Sequence, residues 1–100
     1  MIFHTRTLLT IVTEAALEND LVELFHARKL RGWTIVEARG KGDHGEQHGS
    51  FDANHNIQIE LIADSAAAEQ LAETIQQKFG GDFALVQWLS DVRVLRAEKF

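Results

Sequence analysis

One hundred residues, 45% hydrophobic and 25% charged, describe one ordinary folding unit near the lower size limit of a self-sufficient core, which excludes a disordered chain and a second domain. A formal charge of −5 leaves no overall basic surplus to neutralise phosphates, which argues against nonspecific nucleic-acid or anionic-membrane binding, although a local basic cluster stays open. Without cysteine there are no disulfides, no thiolate nucleophile and no sulfur-ligated zinc, in keeping with a reducing compartment.

The opening "MIFHTRTLLTIVTEAAL" has neither an early cationic region followed by an apolar stretch nor a small-residue cleavage site, and it contains Glu14. It reads as mature sequence of a soluble, cytoplasmic protein, and no apolar run approaches the length that spans a bilayer. Residues 7–13, "TLLTIVT", predict a first strand. In "EAALENDLVELFHARKLRG" the residues Leu17, Leu21, Leu24 and Phe25 fall on one helical face. This predicts a helix of about four to five turns, capped by Thr13 and stopped by Gly32. "WTIVEA" predicts a second strand. "NIQIELIA" predicts a third, in which Ile57, Ile59 and Leu61 alternate with Gln58 and Glu60.

"DSAAAEQLAETIQQKFGG" places Ala68, Leu71, Ala72, Ile75 and Phe79 along one stripe, with Asp64 or Ser65 as cap and Gly80-Gly81 as stop, and predicts a second helix. "FALVQWL" and "VRVLRA" predict either one strand bent at Ser90-Asp91 or a hairpin-like pair. The order is βαββαβ with a short added C-terminal strand: an α+β, ferredoxin-like split βαβ fold, its antiparallel sheet carrying both helices on one face. Two helices cover one sheet face, yet Trp33, Ile35, Val36, Ile62, Val86 and Trp88 leave enough apolar residues for both faces. That surplus predicts a homo-oligomer.

Between the second and third strands a hairpin turn would suffice, yet "EARGKGDHGEQHGSFDANHN" spends about fifteen residues there, a length typical of functional or disordered loops. Gly40, Gly42, Gly45 and Gly49 allow main-chain N–H groups to approach an anion, with Arg39 and Lys41 supplying charge. No Lys-Ser/Thr pair follows at Walker A spacing, so a plain flexible loop is an equal alternative. His44, His48 and His55 lie among Asp43, Glu46 and Asp52, a set of metal-ligating types without evident preorganisation; solvated loop histidines are the simpler reading. His4 and His26 read as surface or partly packed residues. Glu37 and Glu60 can face each other across neighbouring strands, although such pairs are more often exposed than catalytic. No nucleophile-elbow sequence occurs, and the chain does not read as an enzyme. Near the end, "DVRVLRAEKF" gathers Arg93, Arg96 and Lys99. Arg93 either faces a phosphate or forms a salt bridge to Asp91 or Glu98.

Four blocks taken together, "LTIVTE", "GWTIVEARGKG", "IQIELI" and "VRVLRAEKF", resemble the PII signalling superfamily, and within it the SbtB-like and carboxysome-associated PII-like branch. The resemblance covers nearly the whole chain. It implies a homotrimer of ferredoxin-like protomers with nucleotide clefts between subunits, and a mobile T-loop over residues 41–55. It further implies that Gly32, Trp33, Thr34, Gly40, Lys41 and Gly42 line the adenine and phosphate side. By the same resemblance Glu60, Leu61 and Ile62 meet the base through backbone groups, Gly80, Gly81 and Asp82 form the neighbouring B-loop, and Arg93 and Arg96 bind phosphate. Arg39 and Lys41 are the candidates for bicarbonate.

The chain departs from the nitrogen-sensing members in three ways. Asp43-His44-Gly45 stands where their Arg-Gln-Lys run lies, no Tyr is present for uridylylation, and Phe83 follows Asp82 where they place a lysine. These departures weaken the case for 2-oxoglutarate and put AMP or ADP ahead of ATP. The implied function is a regulatory sensor with no resident cofactor, switching its loop's interaction with an inorganic-carbon transporter or related partner. The alternative is a metal-responsive PII-like or CutA-like trimer using His44, His48 and His55.

Overall fold

The computed structural model describes residues 1–41 and 55–100. The elements are β1 (His4–Glu14), a 3-10 turn (Ala15–Leu17), α1 (Glu18–Ala27), β2 (Thr34–Ala38), β3 (Asn56–Ala63), α2 (Ser65–Phe79), β4 (Leu85–Val94) and a closing 3-10 turn (Ala97–Lys99). The sheet order is β2-β3-β1-β4, with every neighbouring pair antiparallel. Each helix joins two parallel, non-adjacent strands, which is the split βαβ arrangement expected of a ferredoxin-like α+β fold.

Alternation along the strands decides what is buried. In β1 and β3 the register sets Leu9 opposite Leu61 and Ile11 opposite Ile59. These pairs, with Ile57 and Ala63, meet Leu17, Leu21 and Phe25 from the first helical segment and Ala68, Leu71, Ala72 and Ile75 from α2. Phe25 is fully buried, and its ring meets Trp33 at 5.3 Å between centroids. The other sheet face carries Val36, Val86 and Trp88, each about half exposed. Trp33 and Ile35, two of the apolar residues expected to serve both sheet faces, pack against the helix-side core. Register explains Ile35, because it pairs with the core residue Ile59.

The first helix begins and ends elsewhere than its pattern indicates. β1 continues to Glu14, and Thr13, the expected cap, is buried with its hydroxyl donating to the Ala84 carbonyl at 2.7 Å. A 3-10 turn follows, and regular helix starts only at Glu18. At the other end the left-handed stop comes at Lys29, three residues before Gly32. Lys29 adopts φ 59°, its N–H donates to the His26 carbonyl, and the Leu30 N–H donates to the Phe25 carbonyl. That pair of bonds is a Schellman motif with lysine in the position glycine usually takes.

The start of α2 matches expectation: the Asp64 side chain accepts from the Ala67 amide at 2.9 Å, and Gly80 follows the last turn. "FALVQWL" and "VRVLRA" contribute to one strand, because β4 pairs with β1 without a break from Leu85 opposite Thr13 to Val94 opposite His4. The short added C-terminal strand is therefore not formed among the described residues. The 3-10 turn Ala97–Lys99 occupies its place. No helix among the described residues is long and apolar enough to cross a membrane.

Candidate functional site

Three connections meet at the end of β1. The Ala15 N–H donates to the His55 carbonyl at 2.6 Å, tying down the return of the long loop. Ala84, just before β4, is held on both sides: its carbonyl accepts the Thr13 hydroxyl, and its N–H donates to the Glu14 carboxylate at 2.7 Å. The residues 80–82, which the family resemblance assigns to the site, lie in the turn leading to this point, where the Asp82 and Phe83 N–H groups both donate to the Phe79 carbonyl. A Cβ on Gly80 would stand 2.6 Å from the Gln76 carbonyl oxygen, so the tight exit from α2 requires glycine there.

Beside this junction, on the open sheet face, Ala38, Arg39, Gly40, Lys41 and Asn56 border a depression of about 320 Å³ floored by Val12, Gln58, Val86 and Trp88. Its floor is largely apolar, and Arg39 and Lys41 stand exposed on its rim. Such an arrangement accepts a flat apolar group below and an anion above.

A second depression, about 250 Å³, lies further along the same face and is lined by Leu8, Gly32, Trp33, Thr34, Glu60, Leu61, Ile62 and Phe100. Trp33 is set in its wall by Phe25 and by His26, whose ring meets it edge-on at 5.1 Å. None of the lining residues is cationic. The expected site residues are thus divided. Ala38 pairs with Asn56 at the first depression and Thr34 with Glu60 at the second, so the two centres stand roughly 14 Å apart at strand rise.

Neither Arg93 nor Arg96 lines either depression. Arg93 lies seven positions beyond Val86 on β4, roughly 24 Å along the strand, and its guanidinium sits 5.0 Å from the centre of the Phe3 ring. Arg96 Nε pairs with the Glu98 carboxylate at 3.2 Å, both groups well exposed. A main-chain hydrogen bond and the Arg96 guanidinium hold the Glu98 carboxyl below the ordinary glutamate value. The salt bridge foreseen for Arg93 thus belongs to Arg96. Glu37 and Glu60 do not face each other: Glu37 opposes Ile57, and Glu60 opposes Thr34 on the other side of the sheet.

Gly42, His44 and His48 lie outside the described residues, as does most of the loop expected to move. His55 is described, with its carbonyl bonded to Ala15. Among the described residues no group of three His, Cys, Asp or Glu side chains converges as a metal site. Two residues escaped sequence reasoning. Glu14 looks like the first turn of a helix, and Phe100 belongs to no periodic segment.

The family model described as nitrogen regulatory protein P-II matches residues 6–99. Among curated proteins none matches the chain. A protein of Thermus thermophilus assigned to PII-like signalling is similar in structure, with 33% identity over 100% of this chain and 99% of its own and a TM-score of 0.82. CPII of Thiomonas intermedia K12, solved with ADP, AMP and acetate, shows 25% identity, coverage of 100% and 98%, and a TM-score of 0.84. The same protein with ADP and bicarbonate shows 27% identity, coverage of 99% and 97%, and a TM-score of 0.82.

Proposed function

Because the chain belongs to the P-II family, we propose that it is a non-enzymatic regulator of the SbtB-like, carboxysome-associated kind, binding an adenine nucleotide in clefts between the subunits of a homotrimer. The observation that carries this reading is the division of the candidate residues. Arg39, Gly40 and Lys41 border one depression, while Gly32, Trp33, Thr34, Glu60, Leu61 and Ile62 line another. Neither depression alone reaches far beyond the lower bound of ordinary ligand pockets, about 300 Å³. Two copies packed through their open faces can complete one cleft from the phosphate-binding half of one and the base-binding half of its neighbour. The half-exposed Val36, Val86 and Trp88 supply apolar surface for that packing.

In this reading the main-chain groups at residues 40–42 and 80–82, with Arg39 and Lys41, face the phosphates, and Arg93 and Arg96 of a neighbouring copy approach from the other side. CPII of Thiomonas intermedia K12 was solved with ADP, AMP and bicarbonate, which supports the same ligand class here, AMP or ADP ahead of ATP, with bicarbonate at Arg39 and Lys41. Ligand binding orders the loop of residues 41–55, and the ordered loop engages or leaves an inorganic-carbon transporter or related partner. Such a switch works only if the ligand prefers the ordered arrangement; equal affinity for both would shift nothing.

Calorimetry of the purified protein with AMP, ADP, ATP and cyclic AMP, each with and without bicarbonate, tests the reading, alongside light scattering for the trimer mass. ADP or AMP binding at micromolar concentration is the expected result. Silence from every nucleotide at millimolar concentration sinks it.

A further inference from the structure

The residues after β4 cross the molecule. β4 lies at one edge of the sheet, and Arg31 precedes β2 at the other. Beyond Val94 the chain forms the turn Ala97–Lys99, closed by bonds from the Lys99 N–H to the Arg96 carbonyl at 3.0 Å and from the Phe100 N–H to the Ala97 carbonyl at 3.1 Å. The turn is fastened at Glu98, whose carbonyl accepts from the Arg31 guanidinium and whose carboxylate pairs with Arg96. Arg31 is the residue immediately before Gly32, so the fastening point adjoins the wall of the second depression. Phe100 is delivered into that wall, facing a space bounded by Leu8, Thr34, Glu60 and Ile62.

The chemistry of this space is selective. Leu8, Ile62 and Phe100 make it apolar, Glu60 offers an acceptor and Thr34 a hydroxyl, and no lining cation is present to hold a phosphate. A planar heteroaromatic ring with an amino donor fits that set, because aromatic stacking tolerates any flat π system while the carboxylate repels an anion. Phe100 remains 39% exposed, so its ring has a face to offer. Resting on the nucleotide-binding reading, we infer that residues 96–100 form a strap completing the base-binding half of the cleft, with the Phe100 ring as stacking wall and Arg31 as the positioning residue that holds it.

The experiment compares ADP with inorganic pyrophosphate, which keeps the phosphates and lacks the base. Binding of labelled ADP and its displacement by pyrophosphate are measured for the full chain, Phe100→Ala, Phe100→Leu, Phe100→Trp, Arg31→Ala and the Arg31→Ala/Phe100→Ala double variant. Far-UV circular dichroism and light scattering verify fold and assembly. Phe100→Ala is expected to weaken ADP about tenfold with pyrophosphate unchanged. Phe100→Leu, which keeps apolar bulk without a π face, should lose less, and Phe100→Trp should bind nearly as the parent does.

Arg31→Ala should reproduce most of the Phe100→Ala loss, and the double variant should be no worse than Phe100→Ala alone, since an anchor matters only while there is a ring to hold. Unchanged ADP affinity in Phe100→Ala, or equal losses for ADP and pyrophosphate, overturns the stacking wall. Additive losses in the double variant overturn the anchor. If the parent protein binds no ADP, the nucleotide reading itself fails and the strap with it, an outcome distinct from a parent that binds and variants that bind equally well.

Discussion

The Glu14 carboxylate accepts the main-chain N–H of Ala84 at 2.7 Å, while the neighbouring Thr13 hydroxyl donates to the carbonyl of the same residue. Two side chains at the end of β1 thereby do for Ala84 what a strand partner's backbone would do. They fix where β4 begins and where the turn of residues 80–82 points.

Glu14→Ala should lower unfolding free energy by about 1–2 kcal/mol, the cost of leaving a partly buried amide without its charged acceptor. Thr13→Val should cost a similar amount, because it strands the Ala84 carbonyl at a buried position. The double variant should lose less than the sum, since both side chains hold one residue. Urea midpoints at fixed protomer concentration measure this; strict additivity would mean that the two bonds act independently.

Lys29 holds a left-handed conformation at the C′ position of α1. Lys29→Gly should stabilise the protein by roughly 0.5–1 kcal/mol by removing the strain of a Cβ at positive φ, net of glycine's greater freedom when unfolded. Thermal unfolding at matched concentration reads the sign, and a lower midpoint would contradict the motif.

Trp88 stands half exposed on the open face of the edge strand β4, in the floor of the first depression. Trp88→Lys should leave the protomer's fold intact and shift its mass in equilibrium sedimentation from trimer toward monomer. A variant that sediments as the parent does would place the subunit contact elsewhere.

Lys41→Ala and Arg39→Ala should each weaken ADP by roughly ten- to a hundredfold, the range for losing one hydrogen bond to a charged group, and should flatten the salt dependence of binding. Phe25→Ala serves as contrast. It should cost about 3–5 kcal/mol of stability through the cavity it leaves in the core, and any loss of binding should track unfolding.

The lowered pKa of Glu98 gives a sign that can be checked. A carboxylate whose pKa is depressed in the folded state contributes fully above its ordinary value and loses that contribution as pH falls through the lower folded value. Carbon-13 titration should show Glu98 ionising below the usual glutamate range. In Arg96→Ala the titration should move upward toward the ordinary value; no movement would mean that Arg96 does not hold it.

The order of elements was legible because period-two alternation in β3 and the stripe from Ala68 to Phe79 each admit one reading. The ends of the first helix were not. "TEAAL" carries good helix formers behind a good cap, but Thr13 and Glu14 are claimed by Ala84, far along the chain, and no local pattern reveals such a claim. Gly32 looked like a helix stop because glycine is the usual occupant of a left-handed position, and here lysine takes that position three residues sooner. Glycine and charge marked the loop base, and Arg39, Gly40 and Lys41 border a depression there. Phe100 carried no such mark, because its place beside the second depression depends on where a turn carries it after leaving the opposite sheet edge.

The sheet order has a consequence for how the chain is made. β1 emerges first from the ribosome, yet it sits inside the sheet, and both of its neighbours, β3 and β4, are synthesised later. His4 faces Val94, nearly the full length of the chain away. Closing contacts of that span is entropically costly before anything offsets it, so folding of this sheet should be slow and should await the synthesis of β4. Until then the edge of β1 that β4 covers is unpaired, and a nascent or truncated chain lacking β4 exposes it to intermolecular pairing.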